Sequence, residues 1–298
     1  MATLREIRRR IRSIRNISQV TRAMQMVAAA KMQRAQDQVL ATRPYSDKAW
    51  ELLVHLAGQR AAGEPLHPLL QERPIKTVGL LLITADKGLC GGYNHNVIRE
   101  TYGYIERCPH PVRLVVVGRR GRDYMRRAGV HPVAEFTDLP PQPGLLDVTP
   151  ISHMVLQEFR DGQVDQVVLA YTRFVNTLVQ RPVIQPLLPI RHRALEEPCK
   201  DVPGGPAPVE YIYEPDPATI LNTVIPRFTE IQVYQAILEA TASEHSARMV
   251  AMRNATENAE QLIGDLTLVY HRARQATITR EMLDIASGAE ALQRAREA

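Results

Sequence analysis

Residues 234–273, YQAILEATASEHSARMVAMRNATENAEQLIGDLTLVYHRA, return an apolar or small side chain at alternating steps of three and four. The recurring positions are Tyr234, Leu238, Ala242, His245, Met249, Met252, Thr256, Ala259, Ile263, Leu266, Tyr270 and Ala273. His245 and Thr256 weaken this seam without breaking its period. No proline lies between Pro226 and Ala298. The pattern therefore predicts one continuous helix of about 70 residues, on the order of 100 Å long at 1.5 Å per residue. A helix of that length with one narrow apolar stripe needs another helix to cover it, because intrinsic propensity does not hold an isolated stripe in water.

The candidate partner lies at the opposite end of the chain. Thr3 followed by Glu6 forms a capping box, and Leu4, Ile7, Ile11 and Ile14 open a second stripe. We read it on through Ile17, Val20, Met24 and Val27, with a seam that drifts slowly around the helix. Pro44 is expected to kink or end this element, although Ala49, Leu52, Leu53 and Leu56 carry an apolar pattern on to Gly58. The following GQRAAGEPLHPLLQERP, residues 58–74, reads as a linker rich in Gly and Pro.

Between the two helical ends the pattern changes. Residues 77–84, TVGLLLIT, form a continuous apolar run, as in a strand buried on both faces. Further strands are expected at 112–117, 132–136, 165–174 and 177–190, with a hairpin around Asn176. Helices are expected at 95–106 and after Gly118, and another with Thr149 as cap, Pro150 at its first position and Gly162 at its stop. Strands alternating with helices give an α/β fold with a mainly parallel sheet, and Pro182 and Pro186 place the fifth strand at an edge. The expected architecture is a long antiparallel two-helix coiled coil from the N- and C-terminal helices plus a central Rossmann-like α/β domain with a mainly parallel five-stranded sheet. Its parts are residues 1–58, 75–200 and 211–298. The carboxy-terminal helix is the longer, so its last turns, with Ile278, Met282, Ile285, Ala289 and Leu292, need a cover from outside the chain.

Composition agrees with long helices. Only 5% of the 298 residues are aromatic, which suits Ala-, Leu-, Arg- and Glu-rich helices better than a compact sandwich. The net charge is +5 and its excess sits in residues 1–48, where eleven Lys or Arg face only Glu6, Asp37 and Asp47. Such a helix suits an acidic protein, an anionic membrane surface or nucleic acid. Arg8, Arg12, Arg15 and Arg22 share a helix with a well-formed stripe, which favours a coiled coil against an acidic protein surface. The three cysteines, Cys90, Cys108 and Cys199, show no C-x-x-C spacing, so reduced thiols in a cytosolic setting are expected. No apolar run reaches the roughly 18 residues of a membrane span, and the first residues lack the apolar core of a secretion signal.

Little in the chain looks catalytic. KGLCGGYN, residues 87–94, follows a strand and precedes a helix but lacks the G-K-[ST] ending of a phosphate loop. VVVGRRGRD lacks the third glycine of a dinucleotide fingerprint. A tight turn explains the glycines better. Cys90 has no evident base and reads as a small buried thiol, and the nine histidines show no metal spacing. We expect no catalytic residue, no cofactor and no metal.

Five stretches then carry a specific resemblance. LREIRRRIRSIRNISQVTRAMQMVAAAKM (residues 4–32), GLCGGYN (88–94), EYIYEPDP (210–217), SEHSARMVAMRNATENA (243–259) and ARQATITREMLDIASGAEAL (273–292) resemble the gamma (γ) subunits of F-type ATP synthases, essentially from end to end. Asp284 and Ala286 stand where Glu and Val are more usual. The resemblance implies a non-catalytic central rotor shaft. It would couple proton flow through the membrane c-ring to conformational cycling of the catalytic subunits, in ATP synthesis or its reversal. The implied partners are the alpha and beta subunits in a 3:3 ring, the epsilon (ε) subunit and the c-ring. Membrane association would be through partners only, at the cytoplasmic face of a bacterial cell membrane. It further implies ring contacts at Arg274, Gln275, Thr279 and Glu281, a coupling-sensitive pair in Met24 and Arg248, and a foot on the membrane ring at Tyr211, Tyr213 and Glu214. The rival reading is a free-standing coiled-coil scaffold or nucleic-acid-binding protein.

Overall fold

The structure is a computed structural model that describes residues 3–58, 67–71, 73–190 and 217–297. Cys199, Tyr211, Tyr213 and Glu214 lie outside the described residues, as do the side chains of Leu52, Leu53, Leu56 and Leu292. The elements are α1 (Leu4–Gly58), a 3-10 turn (Pro68–Leu70), β1 (Val78–Ile83), α2 (Tyr93–Arg107), β2 (Val112–Val117), α3 (Arg119–Arg127), β3 (Ala134–Phe136), α4 (Leu145–Arg160), β4 (Gln166–Phe174), β5 (Gln180–Leu188) and α5 (Pro217–Glu297). The two terminal helices run for 55 and 81 residues, with Pro44 and Pro226 inside them. The chain divides into two compact units, Met1–Val27 with Ala251–Ala298, and Ala28–Val250.

In the second unit the sheet order is β3-β2-β1-β4-β5, parallel except for β5, which pairs antiparallel with β4. β1 is central, and its six residues are all buried because its two faces feed two cores. Leu81 and Ile83 join α4 and α5 through Val155, Phe159, Phe228 and Ile237. Leu80 and Leu82 join α2 and α3 through Val97, Ile98 and Met125. Each such fully buried aliphatic side chain contributes about 1.5–3 kcal/mol. Pro182 and Pro186 sit on β5, an edge strand, where a missing N–H costs no ladder bond.

Two expectations change here. α4 starts at Leu145, not at Pro150: the Asp147 carboxylate accepts the Gly144 N–H at 2.8 Å and caps the helix one turn earlier. Pro150 is tolerated within the helix. The stretch read wholly as linker contains the 3-10 turn, in which His67 Nδ1 accepts the Leu69 N–H and Leu69 is fully buried.

In the first unit the capping box is present, with Thr3 N–H donating to Glu6 Oε2 at 2.9 Å and Glu6 N–H to Thr3 Oγ1 at 3.3 Å. Residues 4–27 of α1 run antiparallel to α5, since Arg8 meets Tyr270 while Thr21 meets Thr256. The α1 seam, however, does not drift. Leu4, Ile7, Ile11, Ile14, Ser18 and Thr21 are covered at strict three-four spacing, whereas Ile17, Val20 and Val27 are more than half exposed. Heptad geometry outranks the apolar content of individual positions, and small polar residues fill the seam where the larger aliphatics point away. The α5 seam follows its expected register: Met252, Thr256 and Ala259 are buried, and Ile263, Leu266, Tyr270 and Ala273 are half-buried.

Candidate functional site

Past Ala273 the long helix has no cover of its own. From Arg274 to Ala289 every residue is exposed. Had the seam continued, its next positions would be Thr277, Arg280, Asp284 and Ser287, all polar. The apolar residues Ile278, Met282 and Ile285 lie one, two and one residues beyond the nearest preceding seam positions, which turns the apolar face by roughly 130°. Met282 is 65% and Ile285 72% exposed. The sequence thus changes the direction in which it offers apolar surface just beyond the seam residues that α1 covers.

Helix geometry groups the expected contact residues around Ile278. Arg274, Gln275 and Glu281 lie three or four residues from Ile278 and share its face, and Thr279 lies four beyond Gln275. All four are exposed. An apolar row framed by a guanidinium, an amide and a carboxylate can dock against a surface with apolar centre and mixed polar rim.

Within the covered part of the first unit, the Thr21 and Thr256 hydroxyls meet at 2.7 Å, and each has a carbonyl of its own helix in reach, Ser18 O at 3.0 Å and Met252 O at 2.9 Å, so one hydroxyl donates across the seam and the other to its carbonyl. Arg8 reaches the Tyr270 hydroxyl, its guanidinium carbon 5.4 Å from the ring centroid. Met24, one of the expected coupling residues, is half-buried on α1.

Arg248, the other, belongs to the second unit and sits in a cleft of about 350 Å³ beyond the carboxyl ends of β1 and β2. Its guanidinium donates to Glu244 Oε1 at 2.6 Å, to the Gly88 carbonyl at 3.2 Å and to His245 Nδ1 at 3.2 Å. Burial pushes the Glu244 carboxyl up, and Arg248 beside it pulls the other way. Burial, reinforced by Arg248 and Lys31, lowers His245 to about 4, so the imidazole is neutral and accepts from the guanidinium. Burial also pushes the Cys90 thiol up, which disfavours the thiolate form.

The cleft occupies the place where doubly wound folds hold a ligand, but the chain fills the anion position itself. Asp86 accepts the Arg119 N–H at the start of α3 at 3.0 Å and the Asp138 N–H at 3.1 Å. Gly118 (φ 96°) passes so close to β1 that a Cβ would lie 2.2 Å from the Thr84 carbonyl oxygen. The arginines of α3 are largely committed: Arg119 pairs with Asp138, Arg122 with Asp123 at 2.8 Å and Arg126 with Glu135 at 2.7 Å. Such neutralisation does not favour a phosphate-binding face. Among the described residues no group of three His, Cys, Asp or Glu could hold a metal ion, and no helix is long and apolar enough to cross a membrane.

Sequence reasoning missed the Arg248 to Gly88 contact, which spans 160 residues of chain and leaves no local signal. It also missed the phase change after Ala273, which was readable from the polar residues at 277, 280 and 284.

The comparisons with known proteins cover almost the whole chain. A family model described as ATP synthase matches residues 3–292. An ATP synthase gamma chain of Dehalococcoides mccartyi is 53% identical, over 98% of this chain and 100% of that one. One of Roseiflexus castenholzii is 49% identical, over 98% and 99%. Among solved structures, a chain of the Tetrahymena thermophila mitochondrial ATP synthase central stalk and c-ring is 27% identical with a TM-score of 0.58, covering 79% of this chain and 99% of its own length. A chain from Euglena gracilis mitochondrial ATP synthase shares the fold at 19% identity and a TM-score of 0.66, over 99% and 96%.

Proposed function

Because the chain belongs to the gamma-chain family of ATP synthases, we propose that it works as the non-catalytic rotor of the central stalk, driven by proton flow and turning inside a ring of three alpha and three beta subunits. Its partners at the other end are the epsilon subunit and the membrane c-ring. It is peripheral, on the cytoplasmic face of a bacterial membrane. The observation that carries this reading is the run from Arg274 to Ala289, exposed at every residue yet lined by Ile278, Met282 and Ile285. Exposed apolar surface of this kind is retained where a partner covers it.

Function follows from asymmetry and linkage. A ring of three like catalytic subunits presents three equivalent faces to a shaft that has one apolar row. The shaft therefore contacts each subunit differently, and only a difference in contact free energy between open and closed states can bias a subunit toward one of them. Turning the shaft carries that bias to the next subunit. Arg274, Gln275, Thr279 and Glu281 supply the polar part of the contact around Ile278. Met24 and Arg248 tune coupling, and Tyr211, Tyr213 and Glu214 form the foot on the c-ring.

The test is co-purification. The tagged full chain should isolate a stable complex with one copy of itself, three alpha and three beta subunits, and ATPase activity. A monomer or symmetric dimer that binds DNA with steep salt dependence would replace the rotor with the scaffold reading.

A further inference from the structure

The β4–β5 hairpin sets two guanidinium groups against each other and leaves three aliphatic side chains in solvent beside them. Arg173 and Arg181 are direct cross-strand partners, and both are exposed. Like charges in that position destabilise a hairpin. Arg173 is compensated from inside: it donates to Gln185 Oε1 at 2.9 Å, and the Glu239 carboxylate on α5 acts on its charge. Arg181 has no ion pair or side-chain hydrogen bond among the described residues. Nor is its charge needed to guard the sheet edge, because Pro182 and Pro186 already interrupt β5.

The tip beyond the arginines is held rigid. Asn176 Oδ1 accepts the Leu178 N–H at 2.9 Å and the Val179 N–H at 2.7 Å. Ser246 of α5 donates to the Thr177 carbonyl at 2.7 Å, while Gln180 Nε2 donates to the same carbonyl at 3.0 Å and to Ser246 Oγ at 3.2 Å. On this fixed base Val175 is 50%, Leu178 77% and Val179 39% exposed. The Val175 N–H donates to the Val179 carbonyl at 3.3 Å and carries the pairing one rung past the strands. Alternation along the strands then sets both valines on the face of Arg173 and Arg181.

We propose that this hairpin is a docking ridge for a protein partner: Leu178 enters an apolar recess on another subunit of the complex, and Arg181 pairs with an Asp or Glu carboxylate at the rim of that recess. Charge complementarity selects the occupant. With Arg173 compensated by Glu239, one guanidinium is free, which matches one carboxylate, whereas an anionic lipid surface or a nucleic acid is held by an array of cations. A carboxylate at Arg181 also offsets the repulsion between the two arginines, a gain that the chain alone lacks. Because the tip is ordered beforehand, little ordering cost falls at the moment of docking. The inference rests on the rotor reading and adds to it a contact seated wholly in the second unit.

The experiment uses the complete complex in membrane vesicles, without ATP, carrying the photoreactive amino acid benzoylphenylalanine in place of Leu178. Illumination should join the chain to another protein subunit, and mapping of the product identifies the nearest carboxylate. Arg181→Glu should lower the product yield about tenfold, and Arg181→Lys, which keeps the charge without the fork, severalfold. Exchanging the mapped carboxylate for lysine in the Arg181→Glu complex should restore the yield. In the full chain alone, Arg181→Glu should raise the melting temperature by about 1–3 °C, since an attractive cross-strand pair replaces a repulsive one. Absence of a protein product, or a product with lipid or nucleic acid instead, overturns the docking ridge. A yield unchanged by Arg181→Glu, or not restored by the exchange, overturns the ion pair. Either result in a complex that still assembles and hydrolyses ATP leaves the rotor reading standing, whereas a chain that isolates no alpha and beta subunits removes that reading itself.

Discussion

Two stretches of α5 make opposite use of the same secondary structure. From Ile225 to Ser246 the helix is buried on nearly every side: Ile225, Val233 and Leu238 have no exposed surface, and Ser243 and Ser246 donate to the Thr172 and Thr177 carbonyls. From Arg274 to Ala289 every residue is exposed. Both stretches carry apolar residues, so composition does not separate them. What separates them is whether the chain itself supplies the opposing surface. The first stretch is an internal axle for its own sheet, and its energetics can be read from one chain. The second is complete only in company, and its energetics are invisible in the chain alone.

That contrast gives its largest expected effect at Phe228, a core residue 3% exposed. Phe228→Ala should destabilise the full chain by about 3–5 kcal/mol, read from the shift in urea midpoint. A loss below about 1 kcal/mol would mean the first stretch is no better covered than the second.

Next in size is a pH dependence seated in the same stretch. His245 has its folded value depressed to about 4 from 6.5, so folding favours the neutral ring. Stability from this group is fully present above pH 6.5 and is lost as pH falls toward 4, by about 3 kcal/mol in total. Titrating unfolding free energy over that range should show the loss, and His245→Gln should remove this component. A variant as pH-sensitive as the parent would place the buried proton linkage elsewhere.

How much of this was legible beforehand depends on the range of the interaction. The period of α5 and the apolar run of β1 are local patterns, and both stood in the sequence with their burial nearly correct. The seam of α1 was misplaced because Ile17, Val20 and Val27 look like better seam residues than Ser18 and Thr21, and only the heptad spacing imposed by the partner helix overrules them. The start of α4 was misplaced because Pro150 resembles a first-turn proline, while the cap was supplied by Asp147. The bare end was visible as an uncovered stripe. The Arg248 cluster was not, because Gly88, Glu244 and Arg248 meet only once the sheet has brought the β1 loop to α5.

A smaller effect is expected in the thin seam of the first unit. Replacing both Thr21 and Thr256 by Val removes their 2.7 Å contact and leaves an apolar pair of similar shape. The change in unfolding free energy should be within about 1 kcal/mol, and smaller than for Thr256→Val alone if the single change strands a half-buried hydroxyl. A double-mutant cycle with no coupling would show that the hydroxyl pair does not hold the seam.

The smallest effect on the lone chain belongs to the bare stretch. Ile285→Ser should change its stability by no more than about 0.5 kcal/mol, yet lower ATPase activity or complex yield once the alpha and beta subunits are present. Ending the chain after Ala276 should sharpen the same split, with the α/β fold intact and coupled pumping reduced. Full hydrolysis and full pumping in the truncated complex would mean that these turns have no part in coupling.

The central claim is that this chain turns as a stiff axle within a ring of other subunits. The direct measurement immobilises the alpha and beta ring on a surface, attaches a bead or gold rod to the α/β fold of the second unit, and adds ATP. The account predicts unidirectional rotation in three equal steps per turn. A probe that stays fixed relative to the ring while ATP is hydrolysed would contradict it.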